Sequence, residues 1–326
     1  MHTMGNINEI SRLSEDLNKK EEQLNQMGIF DIEPVNQIII NAQKQPDPTP
    51  LWLSLWHEGE VCCLFADANL GKSIYAVQIA NSVAQKKRVI YFDFELSDKQ
   101  FQLRYTDDEG NLFNFPDNLF RASINVERYN CTNIEDTIMD DIGFAVIQKK
   151  AEVIIIDNIT YICSSAEKAD MAGALMMKLI EMKRKYNLSI LILAHTPKRN
   201  MTRPITQNDL AGSKRLFNLF DSAFAIGQSA KNANLRYIKQ IKVRYGAFVY
   251  GAGNVIVCNI EKIGTFLSFN TIDYCEEREH LRERSSKEEK EEIEKAKKLA
   301  SEGKSVREIA EELNTSKSRV DRLLKK

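Results

Sequence analysis

The sequence has no Cys-x-x-Cys pair, no cluster of histidines and no long apolar run, and each absence narrows what the chain can be. The six cysteines, Cys62, Cys63, Cys131, Cys163, Cys258 and Cys275, lie mostly inside apolar stretches. They read as small buried hydrophobes in a reducing compartment rather than a disulfide framework. The four histidines are scattered, so no ligand spacing for zinc arises. Runs such as Val153–Ile156 and Ile190–Ala194 are too short to span a bilayer, and the start of the chain is polar. A cytoplasmic protein without a membrane segment is expected. Strong charge of one sign is also missing: the formal net charge is −1. Any contact with nucleic acid must therefore come from local patches, not from the overall field.

What is present is enough apolar material, 43% of 326 residues, for one large core with a small appendage. The most informative stretch is Ala66, Asp67, Ala68, Asn69, Leu70, Gly71, Lys72 and Ser73, reading ADANLGKS. It follows the apolar strand pattern Val61–Phe65 and precedes a helical pattern over Ser73–Gln85. That order is what a phosphate-binding loop needs: inward backbone N–H groups backed by a helix N-terminus. Gly71 permits close approach, Lys72 would reach the β and γ oxygens of ATP, and the Ser73 hydroxyl would hold Mg²⁺. Ala66 stands where the motif usually has glycine, which is acceptable only if that residue needs no positive φ.

Around this loop the pattern alternates. Strands are expected at Arg88–Phe94, Leu119–Ala122, Val153–Ile156 and Ser189–Ala194, and helices at Asp98–Tyr105, Ile134–Gln148 and Lys168–Tyr186. Near-continuous apolar strands between helices indicate a parallel sheet covered on both faces. After Asp221 short strands follow one another: Ser222–Gly227, Leu235–Tyr245, Ala247–Tyr250, Asn254–Ile260 and Phe266–Phe269, an antiparallel edge extension. The fold class is thus α/β with a mainly parallel central sheet. Residues 6–27 carry Ile7, Ile10, Leu13, Leu17 and Leu24 at amphipathic-helix spacing, and Gln45–Pro50 is a proline-rich linker. That arm can dock on its own domain or on a neighbouring subunit.

Candidate chemistry collects at strand ends, where α/β sheets bind ligands. Asp157 closes the strand in AEVIIIDN and would complete the Mg²⁺ shell through water. Glu95 closes YFDFE and suits the general base, preferred over Asp93 because a base must reach past the strand end. His195 closes LILAH and is placed to sense the γ-phosphate. The loop after it carries Lys198, Arg199 and Arg203, cations available to a single strand of DNA or simply to solvent. In IKVRYG, Lys242 and Arg244 would share one strand face, and that pair suits an arginine finger acting on an adjacent subunit.

Together, ADANLGKS, YFDFELSDKQFQLR, VIIIDN, LILAHTPKR, NDLAGSKRLFNLFDSAFAIG and IKVRYG resemble the RecA-fold ATPases of the replicative hexameric helicase type, RepA-like and DnaB-like, over about residues 52–270. The resemblance implies ATP and Mg²⁺ at Gly71, Lys72, Ser73 and Asp157, the base at Glu95, the sensor at His195 and the trans-acting pair at Lys242 and Arg244. It also implies a homohexameric ring with single-stranded DNA through its centre. Beyond a charged linker, 273–287, residues 288–326 resemble the helix-turn-helix of resolvases, with Ser305 and Glu308 as a capping box and Ile309, Ala310, Leu313, Val320 and Leu323 as core. Lys317, Ser318, Arg319 and Arg322 would face duplex DNA. The expected domains are an arm and linker (1–50), a RecA-like ATPase (51–272), the charged linker and the helix-turn-helix. A helicase of a plasmid or mobile element is the leading expectation; an ATP-gated DNA-binding regulator or recombination mediator is the alternative.

Overall fold

The computed structural model describes residues 30, 32–125, 134–162, 169–197, 199–210, 214–283, 286–313, 315 and 317–325. The amphipathic segment 6–27 and Lys198 lie outside the described residues. The chain divides into two compact units, Met1–Pro48 and Thr49–Lys326. In the first, helix α1 (Val35–Ala42) leaves Val35, Ile38, Ile39 and Ile40 exposed.

The second unit opens with a short hairpin of β1 (Pro50–Trp52) and β2 (Trp56–His57). Then come β3 (Val61–Ala66), α2 (Lys72–Val83), β4 (Val89–Asp93), α3 (Asp98–Arg104), β5 (Leu119–Ala122), α4 (Ile134–Lys149), β6 (Val153–Asp157), α5 (Ile159–Ile162), α6 (Ala169–Tyr186) and β7 (Ser189–His195). A 3-10 turn at Gln207–Asp209 and α7 (Lys214–Leu219) lead into β8 (Ser222–Gln228), β9 (Leu235–Lys242), β10 (Val255–Ile263) and β11 (Phe266–Cys275). Nine strands form one sheet in the order β11-β10-β9-β8-β3-β7-β6-β4-β5. From β8 to β5 all pairings are parallel, and from β8 outward to β11 all are antiparallel. This is the expected RecA-like α/β architecture.

The strand pleat divides the core. Cys63, Phe65, Ile90, Ile154, Ile156, Ile190 and Ile192 face one side, against Met139 and Ile142 of α4 and Met176 and Leu179 of α6. Cys62, Leu64, Tyr91, Ile155, Leu191 and Leu193 face the other, against Tyr75, Ile79 and Val83 of α2. Because both faces are covered, the central strands are apolar throughout rather than alternating. Truncating a fully buried ring such as Phe65 to alanine removes about 3–5 kcal/mol.

Register then fixes the site. Ala66 pairs with His195, and Asp93 pairs with Asp157. The four neighbouring strands β3, β7, β6 and β4 therefore end at the same edge of the sheet, β3 and β7 two residues beyond β6 and β4.

The antiparallel side departs from expectation. Ala247–Tyr250 is not a strand: the backbone N–H groups of Val249 and Tyr250 both donate to the Gln240 side-chain Oε1 at 2.7 Å, so a side chain does what a partner strand would. β9 stops at Lys242, and Arg244 lies beyond its end instead of sharing its face. β11 runs on to Cys275 as the partner of β10. Residues taken as a charged linker are partly interior, for Glu277 and His280 are buried: Glu277 pairs with the buried Lys239 at 2.5 Å, and His280 Nδ1 lies 2.8 Å from Ser229 Oγ.

The chain closes with α8 (Ser286–Ser301), α9 (Val306–Glu312) and α10 (Lys317–Leu324). Gly303, at φ 85°, turns the backbone after α8, and the Ser305–Glu308 capping box starts α9. Their own small core is Ala296, Leu299, Ile309, Ala310, Leu313, Val320 and Leu323. This bundle is tied to the ATPase body through Glu292. Arg203 Nη2 donates to its Oε1 at 2.6 Å and Arg319 Nη2 to its Oε2 at 2.7 Å, while Arg203 also donates to the Leu313 carbonyl.

Candidate active site

The phosphate loop is shaped by two left-handed residues, Asn69 (φ 63°) and Gly71 (φ 92°). Gly71 is the N-cap of α2, and a Cβ there would stand 2.7 Å from Ile260 Cδ1 and 3.0 Å from the Phe269 ring. Only glycine meets both demands. Ala66 is the last residue of β3, with φ outside the positive region, so alanine fits where the motif usually has glycine.

Lys72 is buried, its Nζ donating to the Ala66 carbonyl at 3.2 Å and lying 3.1 Å from His195 Nδ1. Burial lowers the pKa of this ammonium, and the carboxylates of Asp157, Glu95 and Asp67 oppose that.

Asp157 is 1% exposed, and burial pushes its carboxyl up to about 6 against the opposing effect of the Ser73 and Tyr91 hydroxyls. Tyr91 donates to its Oδ2 at 2.5 Å. Its Oδ1 is buried with no hydrogen-bond partner among the described residues. A buried acceptor with unused lone pairs, next to a hydroxyl and a phosphate loop, is the donor set that Mg²⁺ with a nucleotide would use. Ser73 and Asp157 thus fit the metal, and the buried Lys72 at the start of α2 fits the phosphates.

Glu95 and Asp93 separate cleanly. Asp93 is buried and occupied: its Oδ1 accepts from Glu95 N at 3.1 Å and Leu96 N at 2.9 Å, and its Oδ2 from Arg121 Nε at 2.9 Å. Glu95, past the strand end, keeps a part-exposed carboxylate whose Oε1 accepts from Asn158 Nδ2 and lies 3.5 Å from His195 Nε2. Asn158 Nδ2 is also 3.0 Å from that ring nitrogen. Lys72, His195, Asn158 and Glu95 form one continuous polar line beside Asp157.

Not every sequence candidate converges here. Lys242 Nζ donates to the carbonyls of Phe217 (3.2 Å) and Asn218 (3.1 Å). Arg244, with a 62% exposed side chain, pairs with Asp221 at 2.6 Å. Asp221 precedes β8 and accepts from Val61 N at the start of β3, at 2.9 Å, so this pair sits at the opposite edge of the sheet from Asp157 and Glu95. Arg199 donates to the Arg203 carbonyl at 2.7 Å, and its charge opposes the burial-driven rise of the Asp67 carboxyl. Arg203 and Arg319 are half-buried on Glu292, whereas Lys317, Ser318 and Arg322 are exposed along α10.

Three contributors escaped sequence reading. Asn158 follows Asp157 directly and was within reach of any strand-end argument. Tyr91 shares a strand face with Asp93, but an apolar run conceals one useful hydroxyl. Arg121 had no local signal, because its partners Asp93 and Asp98 are far away in sequence.

A parallel sheet with a glycine-turned loop, a buried lysine and a strand-end aspartate at one edge defines a P-loop ATPase of RecA-like fold. The family model described as the AAA domain matches residues 31–201, and the chain belongs to that family. Among solved structures it is similar to the KaiC-like protein PH0186 from the hyperthermophilic archaeon Pyrococcus horikoshii OT3, at 14% identity and a TM-score of 0.47, covering 66% of this chain and 91% of that one. No curated protein matches it in sequence. Among the described residues no helix is long and apolar enough to cross a membrane.

Proposed function

We propose that this ATPase is a ring-forming, DNA-acting motor of the replicative helicase type, with ATP shared between neighbouring subunits and a duplex-reading C-terminal helix-turn-helix. The observation that carries this reading is the separation of the candidate groups. Lys72, Asp157, His195 and Glu95 meet at one sheet edge, while Arg244 stands exposed at the other. With Arg244 at the far edge from its own phosphate loop, the arginine finger of this reading comes from a second copy.

In this reading Lys72 holds the β and γ oxygens, and Glu95 takes a proton from water as the new bond to the γ-phosphorus forms. The bond from the γ-phosphorus to the bridging oxygen breaks, and ADP and inorganic phosphate leave. Mg²⁺, held by Ser73 and Asp157 when bound, supplies charge neutralisation at the phosphate oxygens. Arg244 of the neighbour steadies charge in the transition state.

The test is subunit mixing. Glu95→Gln and Arg244→Ala chains are each inactive alone, and their mixture regains hydrolysis at interfaces that pair an intact Glu95 with an intact Arg244. A mixture as inactive as its components sinks the shared site. The docking of Arg319 on Glu292 favours a second reading, an ATP-gated regulator whose duplex reader is held back. ATP hydrolysis with and without single-stranded DNA, with Lys72→Ala as blank, separates the two: strong stimulation belongs to the motor, and indifference belongs to the switch.

A further inference from the structure

The loop between β4 and α3 carries Glu95, and one side chain from outside binds it at three points. Arg121, on the outermost parallel strand, donates through Nε to Asp93 Oδ2 at 2.9 Å, through Nη1 to Asp98 Oδ1 at 2.5 Å and through Nη2 to the Leu96 carbonyl at 2.5 Å. Its guanidinium also lies over the Phe101 ring, 4.9 Å from the centroid. We propose that Arg121 is a positioning residue for ATP hydrolysis, fixing the loop from which Glu95 reaches the nucleotide; this rests on Glu95 being the base.

The geometry separates this role from plain charge neutralisation. Neutralising the buried Asp93 requires only one of the N–H groups. The other two bonds go to the loop itself, one to its backbone and one to the first residue of α3, whose N-cap Ser97 is locked in a capping box with Gln100. A planar guanidinium holds three acceptors in a fixed relation, which a lysine ammonium cannot reproduce. Between these anchors Glu95 has its own N–H tied to Asp93, so its carboxylate leaves the loop at a set place, against Asn158 and 3.5 Å from His195. Displacing a base by about 1 Å costs up to about a hundredfold in rate.

The experiment is steady-state ATP hydrolysis by the full chain. Arg121→Ala is expected to lower kcat by about tenfold to a hundredfold with KM for ATP within about twofold. In a Glu95→Gln background the same change should alter the residual rate by less than about twofold, because positioning an absent base has no effect. A purely stabilising arginine would instead lower the melting temperature and leave kcat unchanged, or lower the rate equally in both backgrounds; either result overturns the proposal. Should Arg121→Ala fail to fold, Arg121→Lys and Asp98→Asn take its place, each expected to lose kcat several-fold at constant KM, and wild-type kcat in both overturns it. Undiminished hydrolysis by Glu95→Gln would overturn the general-base reading itself, and with it this one.

Discussion

At the nucleotide edge and in the C-terminal bundle, charged side chains are treated in opposite ways. At the edge, β3, β4, β6 and β7 bury polar groups yet leave some acceptor capacity unused, most clearly at Asp157 Oδ1. In the bundle the interior is wholly apolar, and Glu292, itself nearly buried, absorbs Arg203 and Arg319 together. An unmet buried acceptor beside a phosphate loop and a hydroxyl suits a ligand, because leaving it unmet costs stability that packing elsewhere must offset. A carboxylate shared by two guanidinium groups holds elements together, and losing one member of such a pair is strongly destabilising. The two regions thus differ in what their charges are for.

The largest effect expected is at the edge. Glu95→Gln keeps the size of the side chain and its place beside Asn158, so nucleotide binding persists while hydrolysis falls by about a hundredfold to ten-thousandfold. Single-turnover kinetics with labelled ATP reads both at once, and retained hydrolysis would hand the role to another group.

A second prediction sets stability against function at Asp157. Its folded pKa, about 6, lies above the ordinary 3.8, since burial favours the protonated form. The stability gained by keeping that proton is therefore full below pH 3.8 and lost as the pH rises through 6. At pH 7.5 the charged side chain strains the nucleotide-free protein, and Asp157→Asn should melt a few degrees higher than wild type, with the advantage shrinking as the pH falls from 6 toward 4. Mg²⁺-dependent nucleotide binding is lost in the same variant. A melting difference independent of pH would show that Asp157 is not the strained group.

The smallest effects test the bundle. Glu292→Ala releases Arg203 and Arg319, and is expected to raise affinity for duplex DNA about tenfold and to steepen its salt dependence by about one phosphate contact. Arg322→Ala, from the exposed face of α10, should weaken binding more than Arg319→Ala, by about 1 kcal/mol. Equal losses from both arginines, or no response to Glu292→Ala, would erase the contrast between an acceptor open to a ligand and a carboxylate that ties two elements together.

Much of this was legible in order and pattern. The alternation of apolar strands and helical stripes is local physics, as are the strand, loop and helix around ADANLGKS, Asp157 at its strand end and the capping box at Ser305, which the structure bears out. The antiparallel edge was read less well. Gln240 replaces the strand expected at Ala247–Tyr250, and no spacing rule reveals that a glutamine side chain will bind two backbone N–H groups nine and ten residues away. Glu277 and His280 looked like part of a charged linker because their partners, Lys239 and Ser229, come from distant strands.

The sequence by itself determined the strands and helices of the parallel half, the glycine that turns into α2, and which acidic side chains fall at its strand ends, because these follow from periodicity and backbone sterics over a few residues. Only the tertiary structure decided that Asp93 is spent while Glu95 is not, that Arg121 anchors their loop, that Arg244 lies at the far edge from its own phosphate loop, and that Arg203 and Arg319 share one carboxylate. Those outcomes depend on strand register and on contacts across long stretches of chain, where a charge's role is set by whichever partner the fold brings within about 3 Å.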